Sequence, residues 1–403
     1  MQSLSERNIS FSQLRETLSE LEARKVDIVR LATDLHVTGK GLIEVTEQIP
    51  GSTDTLTRAF EPNDVFIEQV ANALKIGIPF ARRMFAERPD VAADMVNGLW
   101  HGRSPDGFSA GYPADARSFL FRGYAEADGA APTARALLSS KYRVMDNYDV
   151  LTAALEGMSG VPGLEGKVTV SSADLSDRHM FVNFMAPQVA VSAKALLEQY
   201  RSPFNSPGVT RAGMFENFDR VADMMSRYGG DGETLWAGFK LKNSEVGDGM
   251  FKIVPYAKFR VCFNGLAIES DAIGQVHLGG RLEQGTINWS DETQQAQRAL
   301  IKAKTKDAVG QFLSPQYWQE QVGKLAAKAG RTITDGAATI ERVGKALNFT
   351  EKEREDIWSH FLLGGQHTSG GVLNAVTSVA QTVASAERAD ALEAAAVKVL
   401  DLV

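Results

Sequence analysis

The stretch from Gly238 to Leu266 constrains the chain most. Gly238-Phe239-Lys240-Leu241-Lys242 alternates apolar and polar residues, which is the period of a strand. Asn243-Ser244-Glu245-Val246-Gly247-Asp248-Gly249 then supplies turn residues. Phe251-Lys252-Ile253-Val254-Pro255 and Phe259-Arg260-Val261-Cys262-Phe263 read as two further extended runs. Runs joined by short polar turns pair antiparallel, so this region predicts a sheet of that kind.

Helical periodicity dominates on either side. Leu14, Leu18, Leu21, Ile28 and Leu35 fall near one face of a helix predicted over residues 11–36. Gly39 to Gly51 reads as a turn-bounded short strand. From Asn63, a natural N-cap, to Trp100 the pattern is helix, Gly-containing turn, helix, then a third helix opened by Pro89. That is the outline of a helix-turn-helix, with Arg82, Arg83 and Arg88 as its basic residues. Ala116–Tyr124, Lys167–Ser171, His179–Ala186 and Val276–Leu278 read as strands. Residues 136–151 lead into a helix capped by Asp146 or Asn147, and Arg211–Tyr228 is helical in pattern. From Asp291, where Ser290 is a cap, six helices follow: 291–312, 316–329, 334–347, 350–363, 371–384 and 386–402. Thr350-Glu351-Lys352-Glu353 is a capping box for the fourth.

Helices, then strands, then helices predict an α+β chain with an N-terminal helical region, a central mostly antiparallel sheet and a C-terminal helical bundle. At 403 residues, more than one domain is expected. The boundaries drawn from composition are 1–60 (helix and connecting segment), 61–135 (helix-turn-helix-like), 136–290 (central α+β) and 291–403 (C-terminal helices).

Several function classes find no support in the residues. A lone cysteine makes no internal disulfide, and Cys262 in an apolar run reads as a small buried hydrophobe. No run of roughly 18 apolar residues occurs, so no membrane partner is expected. The polar, amphipathic first 21 residues lack a signal-peptide pattern, and the cytoplasm is the expected location. Six histidines include no HExxH or HxH pair, and His360 with His367 lacks a third converging ligand, so no metal is expected. There is no P-loop. The glycine-rich Gly364–Gly371 follows no strand, so it reads as an interhelical loop, and no cofactor is expected. No Ser–His–Asp set or carboxylate pair stands out, and no catalytic residue is assigned.

The net charge of −7 argues against wholesale coating of nucleic acid but leaves room for a local basic face. Alternation puts Lys240 with Lys242, and Lys258 with Arg260, on shared strand faces. Lys252 lies between them in sequence, and Trp236, Phe239, Tyr256 and Phe259 are interleaved. Cations for phosphates and rings for bases are the requirements of single-strand binding, with Tyr256 or Trp236 as the stacking residue. Arg298, Lys302 and Lys306, four residues apart on a helix, form a ridge that extends the track. A second polar set, Tyr142, Arg143, Asp146, Asn147, Asn243 and Glu245, converges in one cleft if the elements bearing it are neighbours. Its ordinary roles are helix capping and turn formation.

Five segments together resemble a known family. They are Ile76-Gly77-Ile78-Pro79 with Arg82-Arg83-Met84 and Pro89-Asp90; Ser118-Phe119-Leu120 with Lys141-Tyr142-Arg143-Val144-Met145-Asp146-Asn147; Lys242-Asn243-Ser244-Glu245-Val246-Gly247; Cys262-Phe263-Asn264-Gly265-Leu266; and Asn374-Ala375-Val376-Thr377 with Ala380-Gln381. From about residue 60 onward, the chain resembles the phage- and plasmid-borne family called domain of unknown function nine-three-two. The resemblance implies a mobile-element origin, most simply a phage, and hence the cytoplasm of an infected bacterial host. It carries over no catalytic residue.

The function expected on these grounds is a non-enzymatic phage protein of DNA metabolism that contacts single-stranded DNA as an annealing or recombination accessory. Two alternatives stand beside it. One is a protein that binds a host protein, or self-assembles as a scaffold or homo-oligomer, through its acidic charge and amphipathic first helix. The other is an enzyme with a polar cleft around Arg143 and Glu245.

Overall fold

Strand pairing in the computed structural model, which describes residues 4–48, 55–102, 113–127, 131–164, 166–212, 232–275, 285–286 and 291–403, divides the extended runs between two sheets. The strands in chain order are β1 (Ser5–Ile9), β2 (Lys25–Leu31), β3 (Leu35–Val37), β4 (Ile43–Gln48), β5 (Thr55–Pro62), β6 (Ser118–Tyr124) and β7 (Thr133–Ser139). They continue with β8 (Thr169–Ser176), β9 (Met180–Ser192), β10 (Thr234–Asn243), β11 (Phe251–Phe259), β12 (Gly265–Ala267), β13 (Ile273–Gln275) and β14 (Gly285–Thr286). Sheet 1 runs β1-β8-β9-β10-β11-β12, with β13 also on β11; sheet 2 runs β14-β2-β6-β7-β5-β4-β3. Among the described strands every pairing is antiparallel except β5 with β7. The chain is α+β as its element order predicts, but its strands make two sheets where one was expected. Because β1 pairs with β8 while β2 to β5 build sheet 2, residues 1–60 contribute to both.

The helices are α1 (Phe11–Arg24), α2 (Asp64–Leu74), α3 (Ile78–Glu87), α4 (Pro89–His101), α5 (Asn147–Ser159) and α6 (Lys194–Leu197). They continue with α7 (Asp291–Phe312), α8 (Pro315–Ala329), α9 (Gly336–Ala346), α10 (Glu351–Gly364), α11 (Ser369–Ala380) and α12 (Ala386–Leu402). Ser10 and Gln13 form a capping box at the start of α1. The helix ends at Arg24, well short of residue 36. Val26 and Ile28 alternate with Lys25 and Asp27, and the β-branched run pairs with β6. Residues 136–139 likewise belong to a strand, β7, and not to the approach of a helix.

Asn63 accepts the Phe66 amide and caps α2 as expected. The α2–α4 group packs on sheet 2 through Phe66, Val70, Val96 and Trp100. Its arginines meet acids of their own neighbourhood: Arg82 with Glu68, Arg83 with Glu87, Arg88 with Asp90. The six C-terminal helices appear close to their predicted spans. All twelve residues of α11 are buried. The predicted strand Val276–Leu278, the Ser290 cap, and the predicted helix over Arg211–Tyr228 beyond its first two residues lie outside the described residues. Among the described residues, no helix is long and apolar enough to cross a membrane.

Sheet 1 is covered on both faces. Phe239, Leu241, Phe251, Ile253 and Phe259 join Ile301, Val309 and Phe312 of α7 in the main core. The opposite face carries Lys240, Lys242 and Tyr256 and meets α12.

Candidate functional site

The period of the strands does place the predicted cations on one face of sheet 1. In the β10–β11 register Trp236 lies opposite Lys258, Gly238 opposite Tyr256, and Lys242 opposite Lys252. Residues directly opposite share a face, so Trp236, Lys240, Lys242, Lys252, Tyr256 and Lys258 look the same way. That face is not an open track. Lys240 is 3% exposed and pairs with Asp390 at 2.9 Å and with Glu393. Lys242 pairs with Asp390 at 2.7 Å and with Glu269, which also meets Lys252 at 3.4 Å. The Tyr256 hydroxyl donates to Glu393 at 3.3 Å. Tyr256 is 1% exposed and Trp236 is fully buried, so neither ring is offered to a base. The stacking role expected for them is corrected accordingly. The cause is α12, whose Asp390 and Glu393 stand three residues apart, hence on neighbouring positions of one helix face.

Burial of Lys240 works against its charge, yet Asp390 and Glu393 outweigh it and raise the pKa. Asp390 itself is held below its ordinary value because Lys240 and Lys242 overcome the opposing effect of burial. A Cβ on Gly265 would collide with the Tyr256 hydroxyl and Glu393, so the Gly in Cys262-Phe263-Asn264-Gly265 is what lets that hydrogen bond cross the sheet edge. Lys258 is different. It has no carboxylate partner among the described residues, and burial brings its ammonium down to about 8. Arg260 lies 5.8 Å from the Trp236 ring centroid.

The α7 ridge remains at the surface. Arg298 and Lys302 are 51% and 52% exposed in their side chains, and Lys306 is exposed. Their partners come from α5: Asp149 at 2.6 Å from Arg298 and Glu156 at 3.3 Å from Lys302. On the same helix the Lys304 amine donates to the Gly274 carbonyl at 3.3 Å. Gly274 is the register partner of Lys252, so α7 and the basic end of β11 meet at the β13 edge.

The second polar set also converges, with one exception. Asn243 donates to the Met145 carbonyl at 2.9 Å and to Asn147 Oδ1 at 2.8 Å, and Glu245 accepts the Asn147 amide at 2.5 Å. The Tyr142 hydroxyl donates to the Ser244 carbonyl at 3.0 Å. Arg143 turns away and donates to Gln297 of α7 at 3.0 Å. Asp146 occupies the N-cap position of α5 without capping it, because its carboxylate is engaged by Arg122 at 2.5 Å and Lys25 at 2.7 Å. Arg122, fully buried, also holds Asp27 at 2.8 Å and donates to the Glu245 carbonyl at 2.8 Å. Arg135 pairs with Glu245 and donates to the Tyr124 hydroxyl at 2.7 Å.

This node lies where the β10–β11 turn of sheet 1 meets β2, β6 and β7 of sheet 2. Burial would raise the Asp146 pKa, but Arg122, Lys25 and Arg135 hold it well below the usual carboxylate range. Burial pushes the hydroxyls of Tyr124 and Tyr142 far up. Its tyrosines are thus neutral and Asp146 ionised at neutral pH. Lys25, Tyr124, Arg135, Tyr148 and Glu245 line a narrow crevice with α1. Arg135 Nε and Asn243 Oδ1 of the node have no hydrogen-bond partner among the described residues.

Lys25, Asp27, Arg122 and Arg135 escaped the sequence reading. Their signal was charge inside an apolar strand, as in Phe119-Leu120-Phe121-Arg122, where only a buried partner makes an arginine tolerable. A third polar group joins Asn264 to Tyr200 at 3.2 Å and to the Asn374 carbonyl at 3.1 Å, with Gln381 donating to Asn264. Cys262 beside it is buried, which pushes its thiol up to about 12. Among the described residues no group of three or more His, Cys, Asp or Glu is placed to hold a metal ion. No family model, no curated protein and no solved structure matches this chain.

Proposed function

We propose that the chain is a non-enzymatic protein of mobile-element DNA metabolism, and that it touches single-stranded DNA through the outer ridge of α7. Arg298, Lys302 and Lys306 contact successive phosphates, with Lys252 and Lys304 at the adjoining sheet edge. The observation that carries this is the contrast between two sets of cations. Lys240 and Lys242 are buried in ion pairs, whereas Arg298 and Lys302 are half exposed and pair with the partly exposed Asp149 and the exposed Glu156. Exposed ion pairs contribute about 0–1 kcal/mol, so a phosphate displaces Asp149 or Glu156 at little cost. The internal ion pairs of Arg122 with Asp27 and Asp146, and of Arg135 with Glu245, support a structural role for that node. The mobile-element origin rests on the resemblance of the motifs quoted above.

Oligonucleotide affinity against salt concentration tests the proposal. Three phosphate contacts to a single strand give a log–log slope of about −2. R298Q/K302Q/K306Q is expected to remove that slope with its fold intact. Absence of binding at low salt, or an unchanged slope in the triple variant, overturns it. Binding of a host protein or self-association without oligonucleotide binding would favour the scaffold alternative.

A further inference from the structure

The tight turn between β8 and β9 touches three separate elements through two adjacent residues. Arg178 pairs with Glu68 of α2 at 2.6 Å and with Asp248 of the β10–β11 turn at 3.0 Å. His179 sets one ring nitrogen, Nε2, 2.7 Å from the Asp248 carbonyl oxygen and the other, Nδ1, 3.4 Å from the Glu387 carboxylate of α12. Its ring stacks on Phe181 at 5.5 Å. Glu387 is fixed in turn: Ser176 donates to it, and Ser385, the cap of α12, donates to its other oxygen at 3.0 Å. Ser176 Oγ also accepts the amides of Arg178 and His179 at 3.1 and 3.0 Å, which shapes the turn.

Both groups facing the imidazole are acceptors. A neutral ring carries one N–H, an imidazolium two. The short contact to the Asp248 carbonyl takes one N–H, so the neutral ring turns a lone pair toward Glu387. Only the protonated form satisfies both sides. We infer that the β8–β9 turn is a proton-sensitive latch, in which protonated His179 ties the start of α12 to the β10–β11 turn while Arg178 carries the tie on to α2.

The charged neighbours bear this out in sign. Glu387 from α12 and Asp248 from the β10–β11 turn favour the cation, Arg178 on the same turn opposes it, and Glu68 from α2 offsets Arg178. Burial would lower the His179 pKa, but hydrogen bonds to Glu387 and the Asp248 carbonyl raise it above its ordinary value. Burial acts the other way on Glu387, and His179 and Ser176 bring it to about 2, so its charge is constant across the range in which His179 titrates. The latch is closed at mildly acidic pH and loosens as pH rises through the folded pKa of His179. Because α2 belongs to the sheet 2 side and α12 covers sheet 1, loosening frees one of the joints between the two sheets.

Hydrogen exchange on the full chain tests the latch. Protection of the amides in 176–182, 246–251 and 386–392 is measured at pH 5.5 and 7.5 and corrected for intrinsic exchange. Wild type is expected to lose roughly tenfold in protection for each pKa unit by which His179 is raised. His179→Gln, which has one N–H-bearing group and no titration, is expected to show the same protection at both pH values. An imidazole titration by NMR gives a reading that does not depend on the variant folding. Equal pH dependence in wild type and variant, or a His179 midpoint at or below the ordinary histidine value, overturns the inference.

Discussion

Lys240 Nζ lies 2.9 Å from the Asp390 carboxylate, an ion pair between residues 150 positions apart that fastens the last helix to the middle of sheet 1. Asp390 also holds Lys242 at 2.7 Å. Removing one partner of a buried pair leaves a charge without compensation and costs about 3–5 kcal/mol. Glu393 and Glu269 stay behind to shield the two lysines in Asp390→Asn, so the expected loss is smaller, about 2 kcal/mol. Urea denaturation at pH 7 measures it. A variant as stable as wild type would mean that α12 is held by its apolar stripe alone.

Lys258 makes the opposite case. It shares the face of Lys240 but has no ion-pair partner among the described residues, and burial outweighs the pull of Glu393 and Asp174 to hold its pKa at about 8, below the ordinary lysine value. The unfolded chain therefore binds the proton more tightly than the folded one. The resulting penalty is complete below pH 8 and is relieved as pH rises toward the unfolded value near 10.5. Lys258→Met, similar in length and without charge, is expected to raise stability at pH 7 by about 1 kcal/mol or more and to shrink that gain at pH 10. A destabilised K258M would show that the ammonium has a partner that matters.

How far the sequence carried these conclusions differs from element to element. The shared face of Lys240 and Lys242 was legible, because the period of a strand is 2 whatever covers it. Their burial was not, because the cover is α12, where Asp390 and Glu393 look like ordinary surface acids. Glu393 did leave a trace, since it falls four residues after Ala389 and three before Ala396 on the buried stripe. The end of α1 was ambiguous for a similar reason: Leu21, Ile28 and Leu35 recur every seven residues, which suits a helix, while Val26 and Ile28 alternate, which suits a strand. Division into two sheets was beyond local pattern. Nothing in Ser5–Ile9 says that its partner is β8. Convergence of Tyr142, Asp146 and Asn147 with Asn243 and Glu245 was foreseen only as a condition on neighbouring elements, and Arg122, which joins Asp146 to Asp27, lay in a strand read for its apolar residues.

Gly157 shows packing deciding against propensity. It sits on α5 where a Cβ would meet the Lys302 carbonyl at 2.6 Å and Thr305 Cβ at 2.9 Å, both on α7. In an exposed helix, Gly to Ala gains about 1 kcal/mol. Here the added Cβ would press on a backbone carbonyl, which no rotamer change relieves, and overpacking costs about 1–3 kcal/mol. Gly157→Ala is expected to lower stability by about 1 kcal/mol net and to disturb the Lys302–Glu156 pair that spans the two helices. Thermal denaturation measures the first effect. A rise in Tm would place α7 farther from α5 than the structure has it.

The Arg122–Asp146 node predicts a specific acid response. Asp146 is held well below the usual carboxylate range by Arg122 and Lys25, against the effect of its own burial. A carboxyl depressed by folding contributes stability that is fully present above its unfolded pKa, near 3.8, and is lost as pH falls through the folded value. Wild type should therefore lose stability steeply below pH 4. Asp146→Asn removes the titrating group and strands part of the charge on Arg122 and Lys25, which keep Asp27 and Glu22 as partners. The variant is expected to be less stable at pH 7 by about 3 kcal/mol, with a shallower slope between pH 4 and pH 2. Denaturation curves at these pH values separate the two effects. The joint between the sheets should open with the node, so the crevice tyrosine Tyr148 would report the loss by a change in its fluorescence environment. A variant with the wild-type acid slope would move the acid sensitivity to other carboxylates, Glu387 and Asp390 first among them.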